Sequence, residues 1–242
     1  MKRMLPLAAL AVSLIPALVA PLSAPLFAQA PEQAPEQAPT PSPPAPIPPV
    51  SPPGAPGPAK PSPKTLPVAI VTSAGTITIA LEVERAPLTS ANFLRYLDQK
   101  RLDGTSFYRA FTYPTDPGTG LIQGGTRNDP KRILKPVPHE PTSKTGLTHD
   151  DGALSMARGA PGSADGDFFI ILGRMEGLDA NPAAGGDNQG YAVFGHVVEG
   201  MDVVRAIAGA AKNPHLGVGV MKGQMLASPV KILGTRRIAP AK

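Results

Sequence analysis

Sixteen of the chain's thirty-two prolines fall between Pro31 and Pro67, and that crowding decides how much of the 242 residues can build a core. Each proline fixes φ and removes a backbone donor, so such a stretch can neither run on as a helix nor pair inside a sheet. Pro31-Glu32-Gln33-Ala34 is followed at once by its repeat, Pro35-Glu36-Gln37-Ala38. Residues 31–66 therefore read as a proline-rich linker, rising about 3.1 Å per residue where the polyproline conformation holds. A ligand for proline-binding modules, or a substrate of the attached domain, is the sharper reading. Proline density alone names no partner, which favours the plain spacer.

Before the linker, Lys2 and Arg3 precede an apolar run from Leu5 to about Phe27, and Ala28-Gln29-Ala30 has the small-x-small form of a cleavage site. Residues 1–30 read as an export signal cleaved after Ala30. Pro6, Pro16, Pro21 and Pro25 break the run, whereas a membrane span needs about 20 apolar residues as helix. The expectation is a periplasmic protein, with secretion as the alternative, and no stable membrane insertion after cleavage. The chain has no cysteine; this excludes a disulfide framework, a thiol nucleophile and a lipoprotein anchor. Net charge is +5, two of those charges lie in the signal, and Lys131-Arg132 and Arg236-Arg237 are isolated pairs. No basic run tracks a phosphate backbone, so nucleic acid is not an expected partner.

The folded domain is expected over residues 67–242. Val68-Ala69-Ile70-Val71-Thr72, a turn at Gly75 and the alternating Thr76 to Val83 predict a hairpin with one buried face. Pro87 suits a first helical turn, and Ala91, Phe93, Leu94 and Leu97 follow at helical spacing to about Gln99. Short strands are expected at 106–111, 120–124, 152–157, 168–172, 191–197 and 230–233, with a second helix at about 201–208. Many short strands with two helices suit either a closed antiparallel barrel, which leaves no exposed edge, or a two-sheet sandwich of similar strand count.

Three motifs are more specific: Ser106-Phe107-Tyr108-Arg109, Gln123-Gly124-Gly125, and Ala153-Leu154-Ser155-Met156-Ala157-Arg158 running on to Phe168-Phe169. A fourth block, Tyr191-Ala192-Val193-Phe194-Gly195 then Glu199-Gly200-Met201-Asp202, continues the pattern. Together, over roughly Val68 to Ile238, they resemble the cyclophilin-type peptidyl-prolyl cis/trans isomerases. The resemblance implies a mainly β fold, a closed eight-stranded antiparallel barrel capped by two α-helices. It also implies catalysis by Arg109 with Gln123 as orienter, and a substrate pocket of Leu121, Met156, Ala157, Phe169, Leu178 and Tyr191. No cofactor and no metal are implied. The partners would be proline-containing unfolded or exported polypeptides, and the protein would act as a monomer.

The chemistry fits these residue types. Twisting a prolyl amide costs about 18–20 kcal/mol of lost resonance, and no nucleophile is needed to lower that barrier. An apolar socket for the proline ring and a guanidinium donating to the pyramidal nitrogen favour the twisted state over the planar one. An isolated arginine is more often an ordinary surface residue; Gln123, an amide followed by two glycines, is what raises Arg109 above that reading.

The departures from the family pattern are as definite. Gly120 stands in place of a pocket phenylalanine, after a connection of unusual length from Phe111 to Gly120, and Tyr113 is a candidate to fold back as the missing wall. Gly177 replaces an aromatic, and Asn181 to Gly190 forms a glycine-rich insertion. Asp167 replaces glutamine, either as a carboxylate favouring basic peptides or as a loop residue facing water. A binding module that grips proline segments as chaperone or adaptor, with weak or no catalysis, is the alternative function. His139, Glu140, His149, Asp150 and Asp151 lack metal-site spacing and read as loop residues near the barrel entrance. Ser155 lacks the flanking glycines of a nucleophile elbow.

Overall fold

The structure, a computed structural model, describes residues 63–239. The expected signal, and the linker up to residue 62, lie outside the described residues. The first strand of the described residues contains Pro67, the last proline of the crowded stretch. Strand β1, Leu66–Thr72, pairs with β2, Gly75–Leu81, through the tight turn at Gly75, and Val68, Ile70, Ile77 and Ile79 are completely buried. Gly75 has φ +136°, and a Cβ there would approach Val203 Cγ2 to 2.6 Å, so both backbone and space require glycine.

Helix α1, Pro87–Asp98, starts with proline in its first turn as predicted. Ala86 at its N-cap offers no side-chain oxygen, and the orphan amides are met from elsewhere in the chain. Glu140, almost fully buried, accepts from the Thr89 amide at 2.7 Å, the Leu88 amide at 3.2 Å and the Thr89 hydroxyl at 2.6 Å. A carboxylate in that position also complements the helix dipole. Glu140 is thus a helix cap rather than an entrance-loop residue.

The remaining strands are β3, Ser106–Tyr113; β4, Asp116–Gly125; β5, Ala153–Met156; β6, Asp167–Leu172; β7, Val193–Glu199; a two-residue β8, Lys212–Asn213; and β9, Met225–Arg237. Helix α2, Thr142–Thr145, is a single turn, and α3, Met201–Gly209, packs Val204, Ile207 and Ala208 inward. Eight strands close in the order β1-β2-β7-β5-β6-β4-β3-β9 and back to β1, every pairing antiparallel, with β8 appended to β9. The barrel is the expected one, the sandwich is not, and α2 is a short third helix beyond the two foreseen. Phe93 of α1 reaches the interior and packs on Phe168 (5.5 Å between centroids) and Phe194 (5.4 Å), while Phe107 meets Phe168 at 5.7 Å. These four buried rings belong to the hydrophobic core that fills the barrel.

One expectation changes. Residues 112–120, read as a loop insertion, lengthen the β3–β4 hairpin instead: Thr112 pairs with Gly120 and Tyr113 with Asp116.

Candidate active site

A bulge in β3 creates the site. Phe107 pairs with Gly124, yet Arg109 pairs with Gln123, so Tyr108 is the extra residue. Simple alternation would send Tyr108 and Arg109 to opposite faces. The bulge instead brings the Tyr108 hydroxyl and the Arg109 guanidinium to the same amide: Arg109 Nη1 donates to Gln123 Oε1 at 2.7 Å, and Gln123 Nε2 donates to the Tyr108 oxygen at 2.9 Å.

Arg109 has a second holder that the sequence did not suggest. Gln224 Oε1, immediately before β9, accepts from Nε at 2.9 Å and from Nη2 at 2.7 Å, and Gln224 Nε2 donates to the Val220 carbonyl at 2.7 Å. A guanidinium carries five N–H groups. Three are engaged, which leaves one on Nη1 and one on Nη2. Burial lowers the Arg109 pKa, partly offset by Tyr108 and Tyr191, but an arginine remains charged throughout the working range.

Register places the apolar wall beside this cation. Gln123 pairs with Phe169, and Leu121 pairs with both Phe111 and Ile171. Paired residues share a face, so Phe111, Leu121 and Phe169 stand on the Arg109 side of the sheet. Phe169 meets Tyr191 edge-on at 5.4 Å, and the Tyr191 amide donates to the Leu178 carbonyl at 2.9 Å, tying those two segments together. Ala157, half-buried, bonds through its amide to the Asp167 carbonyl at 2.9 Å. Met156 goes the other way. It pairs with Phe168, whose ring lies in the interior cluster, and it is 2% exposed. The structure therefore gathers Arg109, Gln123, Leu121, Phe169, Leu178 and Tyr191 around one surface and turns Met156 into the core.

His149 lies behind that surface. It is fully buried, stacked on Phe169 with centroids 6.0 Å apart. Its Nδ1 is 2.7 Å from Asp179 Oδ1 and its Nε2 is 3.0 Å from Ser155 Oγ. Asp179 only accepts, so Nδ1–H donates to it and Ser155 donates to Nε2. Desolvation holds the His149 pKa below its usual value, against the pull of Asp179. The order serine, histidine, aspartate resembles a hydrolase triad, but Ser155 is fully buried and no carbonyl can reach its Oγ. Among the described residues, no three His, Cys, Asp or Glu side chains converge as a metal site would need.

The other departures now have places. Asp167 neither faces water nor borders a groove as a free charge. It is 8% exposed and accepts from Tyr108 Oη at 3.0 Å, the Arg127 amide at 2.7 Å and Thr126 Oγ1 at 3.3 Å. Burial pushes its carboxyl pKa up. Tyr113 does not fold back; its ring backs Phe111 edge-on at 4.9 Å. The 181–190 insertion is tied down by Arg158, whose guanidinium bonds Asp187 and the Gly190 carbonyl and lies over the Tyr191 ring at 4.9 Å.

Comparison with known proteins agrees with this geometry. The family model for cyclophilin-type peptidyl-prolyl cis-trans isomerases matches residues 67–236. A peptidyl-prolyl cis-trans isomerase of Acinetobacter baylyi is 33% identical over 70% of this chain and 84% of its own length. One from Streptomyces antibioticus is 36% identical over 69% of this chain and 98% of its own. Among solved structures, a cyclophilin-type isomerase of Cryptosporidium parvum shares the fold, with a TM-score of 0.56 at 19% identity, over 74% of this chain and all of that one.

Proposed function

This chain belongs to the cyclophilin-type peptidyl-prolyl cis-trans isomerase family, and from that premise we propose that it isomerises X-Pro bonds in exported, unfolded polypeptides and so assists their folding. The observation that carries the catalytic reading is Arg109, held on both sides with two N–H groups left over. The proline ring enters the socket of Leu121, Phe169, Leu178 and Tyr191, beside Phe111. As the amide twists, its nitrogen pyramidalises and regains a lone pair, and the spare guanidinium protons donate to it. That bond exists only off the planar state, so it lowers the barrier without tightening ground-state binding equally. Gln123 has a second Nε2 proton with which to orient a substrate carbonyl.

Export rests on the sequence pattern of residues 1–30, and the linker would hold the domain away from a surface or partner. Replacing Arg109 by alanine is expected to lower kcat/KM on a proline tetrapeptide on the order of a hundredfold, as loss of a preorganised donor does, while the melting temperature moves little. An unchanged rate sinks the mechanism. Export is tested by fractionating cells and sequencing the mature N-terminus, expected at Pro31.

One observation favours a second reading, a proline-peptide binder with weak catalysis: at Gly177 a Cβ would meet nothing within 4 Å, so that side of the socket is open. Peptide binding without acceleration of either a tetrapeptide or a proline-limited refolding reaction would select it.

A further inference from the structure

Gln123 is itself held by a chain whose direction is fixed at its far end. Asp167 is a carboxylate with three donors pointed at it, from Tyr108, Thr126 and the Arg127 amide. A carboxylate only accepts, so the Tyr108 proton must point to Asp167. The phenol has one proton, and its oxygen must therefore accept from Gln123. The amide meets that demand only with its NH₂ toward Tyr108, which turns Oε1 toward Arg109, a group with donors alone. We infer that Tyr108 and Asp167 are positioning residues that set the direction of this hydrogen-bond chain, and that they thereby fix the Gln123 amide with its oxygen on Arg109. The inference rests on the reading of Arg109 as the catalytic group.

An amide at position 167 exposes the logic. Its oxygen would stay with the Arg127 amide and the Thr126 hydroxyl, and its NH₂ would face the phenol. Tyr108 would then accept from residue 167 and send its own proton to Gln123, which must present Oε1 to it. The NH₂ of Gln123 would be left against Arg109 Nη1, donor against donor. A change two side chains away thus unseats the guanidinium. Protonating Asp167 does the same, since a carboxylic acid can donate to the phenol. The charges around this carboxyl are Asp165, Arg127, which lies over the Tyr108 ring at 5.2 Å, and Arg109 beyond the phenol.

The test compares the full chain with its Asp167→Asn, Tyr108→Phe and double variants, measuring kcat and KM on a proline tetrapeptide across pH, with thermal unfolding alongside. Asp167→Asn is expected to lower kcat about tenfold and to leave KM within about twofold, the scale of losing one charged hydrogen bond. Tyr108→Phe should cost only about twofold, because Arg109 still selects Oε1 by itself. The double variant should return to the Tyr108→Phe level, since phenylalanine cannot relay the reversed proton. A double variant as slow as Asp167→Asn, or slower, overturns the inference, as does an Asp167→Asn enzyme with the parent kcat. If Asp167→Asn does not fold, the pH profiles decide. The parent kcat should fall on acidification through a pKa above the usual carboxylate range, and Tyr108→Phe should lack that fall; a parent profile without it overturns the relay. A parent with no isomerase activity at any pH would refute the catalytic reading of Arg109 instead, and the Gln123 side-chain amide resonances, compared between parent and Asp167→Asn, would then judge the relay by themselves: unchanged resonances overturn it.

Discussion

A Cβ on residue 120 would stand 2.0 Å from the carbonyl oxygen of Phe111. Gly120 therefore cannot carry the phenylalanine that the family pattern places there, because the lengthened hairpin brings the Phe111 backbone over that position. The same hairpin supplies a substitute. Phe111 pairs with Leu121 on the Arg109 face, half-buried, with Tyr113 packed behind it. Phe111→Ala is expected to raise KM for proline peptides about fivefold, with a smaller effect on kcat, because it removes a wall of the socket and leaves the cation untouched. Steady-state kinetics check this; an unchanged KM would mean that the ring does not touch substrate. Gly120→Phe should fail to give folded protein.

Gly177 offers the opposite case. A Cβ there meets nothing within 4 Å and the backbone is not in the left-handed region, so a side chain can be added without displacing anything. Gly177→Trp is expected to lower KM severalfold and to strengthen binding of proline-containing peptides by at least as much, since burying an aromatic face contributes on the order of 1 kcal/mol or more. Isothermal titration of both proteins measures it. Equal affinities would show that the open side is not part of the socket.

These two glycines show where the sequence was legible and where it was not. The short strands and the first helix followed from local pattern, because alternation and turn residues are written within a few positions of each other, while the closed barrel and the Arg109–Gln123 pair followed from the family resemblance of the motifs. What stayed hidden depends on register. Met156 was assigned to the pocket with Phe169, but its cross-strand partner is Phe168, and one position of register reverses the face. The bulge at Tyr108 leaves no mark in composition. Glu140, His149 and Gln224 act on residues 51, 6 and 115 positions away, and no spacing rule connects such distances.

Gln224 yields a prediction about rate. It takes two of the three engaged Arg109 protons, so Gln224→Ala frees the guanidinium to rotate about its last bonds. The expected outcome is a kcat about tenfold lower with KM nearly constant, because the socket is intact and only the donor's aim is lost. Gln224→Glu, which keeps the acceptor and adds charge, should retain more activity than the alanine variant. If both variants match the parent, Gln123 alone holds the arginine.

His149 makes stability depend on pH, and the sign follows from its environment. Burial lowers its folded pKa below the ordinary 6.5, so as pH falls through 6.5 the unfolded chain takes up a proton that the folded one refuses. Protons bound in excess by the unfolded state make stability rise with pH. Above 6.5 the contribution is level; below it, stability is lost at up to about 1.4 kcal/mol per pH unit until the folded pKa is reached. His149→Gln, which cannot titrate, should flatten that part of the profile, so the melting temperatures of parent and variant should converge or cross between pH 7.5 and pH 5. Because the ring stacks on Phe169, the acid-induced loss should appear together with a rise in KM in the parent and without one in the variant. Parallel profiles would mean that the folded and unfolded pKa of His149 coincide, and a parent that gains stability on acidification relative to the variant would mean that His149 is protonated in the fold as an ion pair with Asp179; either outcome overturns the prediction.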